Sequence, residues 1–341
     1  METGERERLL SALAARRVEP VPTAGRDLLF RADPEILLAL ASAGALGPSS
    51  AGPERAARGP DRARFLRAWR LDPPGGGIAL MGVLNVTPDS FSDGGVYRSV
   101  EAAVERGEAL VREGADVIDV GGESTRPGAA PVPAEEEARR VVPVIRRLAD
   151  LVPVPISVDT RKAAVAEAAL AAGASILNDV SALGHDPDMA RLAAERGCGL
   201  VLMHMRGTPE TMQADPRYDD PVSEVYDDLA RSVEIALRAG VAEEKIVIDP
   251  GIGFGKRLSD NLLLIRHVGE LRSLGFPVLV GPSRKSFLGL LLGLPVNERL
   301  EGTIGASVAA AIAGADMIRV HDPSPVGRAV RVAEAIRKGG A

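Results

Sequence analysis

Hydrophobic and polar positions alternate along this chain in a repeating two-part rhythm. Short apolar runs recur at 78–86, 117–120, 155–158, 175–177, 199–205, 245–248, 277–280 and 317–320. Nearly every run ends on a residue that hydrogen-bonds or carries charge: Asn85, Asp119, Asp159, Asn178, His204, Asp249, then Ser283 with Lys285, and Arg319 with His321. Between the runs lie amphipathic stretches read as helices at 100–113, 134–149, 162–172, 189–195, 223–239, 261–273, 303–313 and 326–338. Several close on a glycine (Gly114, Gly173, Gly197, Gly240, Gly314), the residue that best accepts the left-handed turn after a helix. Strands alternating with crossover helices predict a parallel sheet, and eight such units predict an α/β fold, the (β/α)8 TIM barrel. A doubly wound open sheet is the alternative. The barrel reading places all the polar tips at one end, where barrel enzymes carry their chemistry.

One barrel of roughly 250 residues accounts for most of the 341 present. Residues 1–77 differ from the rest. They are rich in Ala, Arg, Gly and Pro, show no strand pattern, and end in the breaker Pro73-Pro74-Gly75-Gly76-Gly77. We read them as an N-terminal extension, helical (6–16 and 34–46) or mobile, before a catalytic domain spanning 78–341. Two long loops, 87–99 and 121–133, are dense in Asp, Ser, Thr and Arg and read as lids over the site.

Charge narrows the function. With 41 basic and 47 acidic residues the net charge is −6, which gives no global attraction to nucleic acid or an anionic membrane. Anion binding must therefore come from a local cluster. The single cysteine, Cys198, permits no intrachain disulfide and reads as a buried core residue, compatible with a reducing cytoplasm. The apolar stretch 36–46 is well short of the roughly 20 residues of a spanning helix, and 1–17 lack a signal-peptide core. A soluble, cytoplasmic protein is expected.

The strand-end residues divide by chemistry. Asp119, Asp159 and Asp249 end apolar strands, where burial raises a carboxyl pKa unless a partner is near. Together with Asn178 they suit the paired N–H donors of an amino-pyrimidinone, as in a pterin or guanine. Lys285 and Arg284 follow strand 7, and Arg319 and His321 close strand 8, where barrels often hold phosphate. Ser324 as N-cap and Pro325 in the first turn would start a helix whose free N–H groups face the same place. Asn85 adjoins this cluster if strand 1 pairs with strand 8, and its amide oxygen suits a Mg²⁺ that keeps waters and diphosphate oxygens. No His/Cys grouping suggests zinc. The segment Gly251-Ile252-Gly253-Phe254-Gly255-Lys256 mimics a phosphate loop but lacks its four-residue spacing and the hydroxyl after Lys.

From residue 78 to the C-terminus the motifs resemble the dihydropteroate synthase family. Met81-Gly82-Val83-Leu84-Asn85-Val86-Thr87-Pro88-Asp89-Ser90-Phe91-Ser92-Asp93-Gly94-Gly95 is similar to its first signature. Ile118-Asp119-Val120-Gly121-Gly122-Glu123-Ser124-Thr125-Arg126-Pro127-Gly128 is similar to its second. Ser157-Val158-Asp159-Thr160, Asn178-Asp179, Leu202-Met203-His204-Met205, Asp249 to Lys256, Ser283-Arg284-Lys285-Ser286 and Arg319-Val320-His321-Asp322 follow in the family's order. The resemblance implies condensation of 4-aminobenzoate with 6-hydroxymethyl-7,8-dihydropterin diphosphate, Mg²⁺ dependence and a homodimer.

By motif, the resemblance implies that Asp119, Asp159, Asn178, Met203, Asp249, Gly253, Phe254 and Lys285 meet the pterin. Thr125, Arg319, His321 and Asn85 would hold diphosphate, with Asn85 on the metal. Phe91, Arg126, Pro127 and Ser286 would shape the aminobenzoate site. Asp93 and Arg126, one on each lid, are expected to pair on closure. A pterin-dependent methyltransferase, or a catalytically silent pterin-binding protein, are the competing readings.

Overall fold

Each apolar run becomes a parallel strand buried on both faces, as the Val/Ile/Leu-rich composition requires when helices cover the outside. The computed structural model describes residues 60–87, 95–124, 126 and 128–339, plus the backbone of a two-residue antiparallel pair, Pro20–Val21 with Leu29–Phe30. The barrel strands are β1 (Ala79–Asn85), β2 (Val117–Gly121), β3 (Ile156–Asp159), β4 (Ile176–Asp179), β5 (Gly199–Met203), β6 (Ile246–Asp249), β7 (Leu279–Val280) and β8 (Met317–Val320). They pair in chain order, and β8 returns to β1 with Met317 opposite Ala79 and Val320 opposite Gly82. That return, together with the bridge between β6 and β7, rules out the open doubly wound sheet. Between β6 and β7 the ring is closed by one bridge, Ile248 to Val278.

The helices follow the expected rhythm, with an unexpected helix Ser286–Leu292 after β7 and further differences. The helix after β1, Gly95–Arg112, begins inside the expected first lid loop. The stretch expected as one helix at 261–273 is broken at His267 into Leu258–Arg266 and Val268–Arg272. The last helix is Pro323–Lys338, starting two residues earlier than Ser324 and Pro325 suggest. Asp322 occupies its cap position with its carboxylate held by Arg284 (2.6 and 3.0 Å), and Pro323 takes the first turn, where its missing N–H costs nothing. The Ser324 hydroxyl instead accepts from Arg328.

Period-2 alternation sorts the strand residues into two cores. Leu80, Leu84, Ile118, Val158 and Leu200 face the surrounding helices. Ala79, Met81, Val117, Ile176, Val201, Val247, Leu279 and Met317 fill the barrel interior, and Phe65, Trp69 and Leu71 close it from below. Phe65 and Trp69 come from helix Arg62–Trp69, capped by Asp61, which accepts from the Arg64 N–H at 2.9 Å. Gly199 leaves room for the indole: a Cβ there would stand 2.9 Å from it. Lys245 donates to the Ala68 carbonyl at 2.6 Å. Residues 62–71 thus form the barrel floor, whereas the helices expected at 6–16 and 34–46 lie outside the described residues. Among the described residues no helix is long and apolar enough to cross a membrane.

Candidate active site

The carboxylates converge at the C-terminal mouth. Strand register sets Asp159 opposite Asn178 and Gly121, and Asp249 opposite Met203. Asp119, Asp159, Asn178 and Asp249 are all buried. Asn178 donates to Asp119 Oδ2 at 2.9 Å, and Arg319 reaches across the mouth to donate to Asp119 Oδ2 at 2.6 Å and Asp159 Oδ2 at 2.8 Å. The second oxygens, Asp119 Oδ1 and Asp159 Oδ1, are buried with no hydrogen-bond partner among the described residues. Buried acceptors left open in this way call for donors from a ligand. Burial raises the Asp159 pKa, against the pull of Arg319 and with help from the Asp119 charge. Burial also raises Asp249, against the lowering effect of Lys285 and the Gly251 N–H, which donates to Asp249 Oδ1 at 2.7 Å.

Lys285 enters from the loop after β7. It donates to the Ile252 carbonyl, and its ammonium lies 4.5 Å from the centre of the Phe254 ring. Burial pushes its pKa down to about 7, with Asp249 opposing and Arg319 reinforcing. Phe254 packs with Val180, Met203 and Met212 in a small apolar cluster, a wall against which a flat heteroaromatic ring can lie. Gly251, Gly253 and Gly255 all have positive φ (66°, 84° and 62°). At Gly251 a Cβ would overlap the His204 carbonyl oxygen, so this loop is wrapped around the end of β5 and only glycine fits. The segment that imitates a phosphate loop in sequence is therefore a loop that shapes the Lys285 pocket.

On the other side, β8 ends in Arg319 and His321. His321 Nδ1 lies 2.9 Å from Ser283 Oγ, and its backbone carbonyl accepts from Arg106 at 2.8 Å. Burial, reinforced by Arg319 and Arg284, pushes the His321 pKa down to about 3, so the ring is neutral and offers an N–H rather than a charge. Arg284 is committed to Asp322 and braces the loops after β7 and β8 together. Asn85 is half-buried at the end of β1, beside β8 as expected. Its Oδ1 and Asp159 Oδ2 flank Gly121, 3.8 and 3.7 Å from where a Cβ would stand. Among the described residues no three His, Cys, Asp or Glu side chains cluster to hold a metal. One hard amide oxygen fits an ion that brings most of its shell as water and substrate oxygens, and does not fit a protein-caged metal.

Arg126 is exposed on the loop after β2, and Ser286 is exposed at the start of helix Ser286–Leu292. Phe91, Asp93, Thr125 and Pro127 lie outside the described residues. Sequence reasoning passed over Glu123, whose carboxylate binds Arg161, Lys162 and the Val132 N–H and so ties the two ends of the loop after β2 together. Its one available signal was an acidic residue inside an otherwise small and hydroxylated loop.

A parallel barrel with buried carboxylates, an amide and a lysine gathered at its mouth defines a pterin-binding class of enzyme, and residues 81–321 match the family model described as pterin binding enzyme. A dihydropteroate synthase of Bacillus subtilis is 49% identical over 263 residues, covering 76% of this chain and 90% of that protein. Two structures of Xanthomonas albilineans dihydropteroate synthase superpose closely. The one with 4-aminobenzoic acid has a TM-score of 0.72 at 47% identity and covers 76% of this chain and 93% of that one. The one in complex with 7,8-dihydropteroate has a TM-score of 0.70 at 44% identity and covers 78% and 98%. The chain belongs to the dihydropteroate synthase family.

Proposed function

We infer that this chain joins 4-aminobenzoate to 6-hydroxymethyl-7,8-dihydropterin diphosphate, giving 7,8-dihydropteroate and diphosphate in folate biosynthesis. The observation that carries the pterin half is the pair of open, buried carboxylate oxygens on Asp119 and Asp159 beside Asn178, Asp249 and Lys285. These acceptors suit the amino-pyrimidinone edge, and Met203, Gly253 and Phe254 suit the ring face. In the reaction the methylene carbon–oxygen bond breaks, the arylamine nitrogen bonds to that carbon, and the nitrogen loses a proton. The diphosphate departs with the electrons of that bond, and the carbocation character left on the methylene carbon is favoured by the surrounding carboxylates. Arg319, the neutral His321 and Thr125 would meet the charge growing on the leaving diphosphate. Asn85 would hold a Mg²⁺ carried on that diphosphate, and the ion would supply further charge neutralisation.

Phe91, Arg126, Pro127 and Ser286 are our candidates for the aminobenzoate site, with Asp93 and Arg126 pairing as the lids exclude water. Unchanged turnover in both Asp93→Ala and Arg126→Ala would rule out that pairing. A cytoplasmic homodimer completes the reading, supported by exposed Leu290, Leu291, Val296, Ile312, Val332 and Ile336 on the helices around β7 and β8. Purified protein given both substrates and Mg²⁺ should release diphosphate and dihydropteroate. Pterin binding without product would indicate a silent binder, and turnover only with a methyl donor would indicate a methyltransferase.

A further inference from the structure

Lys256 is a buried cation outside the site just described. It is 3% exposed, and among the described residues no carboxylate pairs with it directly. Its ammonium donates to His204 Nδ1 at 2.9 Å and to the Phe254 carbonyl at 3.0 Å, with the His204 carbonyl at 3.4 Å. His204 Nε2 lies 3.0 Å from Asp228 Oδ2, on helix Pro221–Arg238. A carboxylate only accepts, so Nε2 carries the proton and Nδ1 is left as the acceptor for the ammonium. Burial, then the Lys256 charge, holds the His204 pKa down to about 4, in keeping with a neutral ring.

This chain of three joins the outer helix to the end of β5 and to the last residue of the glycine loop. That loop presents the Ile252 carbonyl and the Phe254 ring to Lys285, and Gly251 N–H to Asp249. We propose that Lys256, oriented by His204 and Asp228, is a positioning residue that fixes the 251–256 loop and through it sets Lys285 and Asp249 for the pterin. The inference rests on the pterin reading of the site. A buried cation with such acceptors is a costly way to hold a loop, since burial with Lys285 close by drives the Lys256 pKa down to about 7 despite Asp249. The arrangement makes sense where the loop's geometry matters more than its stability.

Steady-state kinetics with each substrate varied in turn tests this. Lys256→Met keeps the stem without the donors and should raise the KM for pterin diphosphate about tenfold or more, leaving that for 4-aminobenzoate within about threefold. His204→Leu should do the same. His204→Asn, whose amide oxygen stands near the place of Nδ1, should remain within about threefold of wild type for both substrates. If Lys256→Met does not fold, the contrast between His204→Leu and His204→Asn decides. An unchanged pterin KM in the folded variants, or both KM values rising together, would overturn the proposal. Wild-type protein that binds no pterin diphosphate would overturn the functional reading and this inference with it, whereas normal wild-type binding with indifferent variants overturns only the inference.

Discussion

Lys285 and the buried carboxylates set opposite limits on the pH range of the site. Lys285 is charged only below its pKa of about 7, so kcat/KM for the pterin substrate should fall as pH rises through that value. Asp159 and Asp249 are raised, and they lose charge as pH falls, which gives the acid limb. A bound diphosphate favours the charged lysine, so the alkaline limb of kcat should lie at higher pH than that of kcat/KM. Initial rates at saturating and limiting pterin diphosphate would show it, and coincident limbs would mean that Lys285 does not sense the anion. His321 behaves differently. A histidine beside an arginine reads in sequence as a second cation, but burial against Arg319 and Arg284 makes it a neutral donor. In the free enzyme, read through kcat/KM, its contribution should therefore not decline between pH 5 and 8, where an ordinary histidine discharges.

At the level of elements, the floor helix Arg62–Trp69 supports the barrel from the end opposite the chemistry. Trp69 is 3% exposed, so Trp69→Ala should cost about 3–5 kcal/mol in a denaturant titration while both KM values stay near wild type. Gly251→Ala should do the converse, abolishing turnover through its overlap with His204 because φ is +66° and the facing atom is backbone. A cooperative denaturation with lost activity is the expected result. The eight strands were legible because both-face burial writes continuous apolar runs, and their polar tips marked Asp119, Asp159, Asn178 and Asp249 without structural help. Helix Arg62–Trp69 was not legible. Its three arginines and lone aromatic pair look like surface until the open floor of the barrel supplies the partner for Phe65 and Trp69. The relay of Lys256, His204 and Asp228 was hidden for another reason: its members are 24 and 52 residues apart, on three elements, with no period linking them.

For the whole molecule, exposed apolar side chains recur on the neighbouring segments Ser286–Leu292, Val296–Glu298, Leu300–Ala313 and Pro323–Lys338, with Leu151, Ile235, Leu262 and Leu263 exposed on other helices. Leu290 is 72% exposed and Ile336 75%, values that a lone folded chain tolerates singly but seldom in a group. In the proposed homodimer, Leu290→Asp together with Ile336→Asp should shift the protein from dimer to monomer in sedimentation, and an unchanged sedimentation coefficient would overturn this interface. The first of these segments follows β7, at the seam where a single bridge, Ile248 to Val278, closes the ring. The two margins of that seam carry Asp249 and Lys285, the residues assigned to one pterin. In the proposed complex a bound pterin would be a molecular clasp across the weakest strand pairing. Amide hydrogen exchange at Ile248 should slow when ligand is added, by more than at the β1–β2 pairing, because the substrate fastens the barrel that holds it.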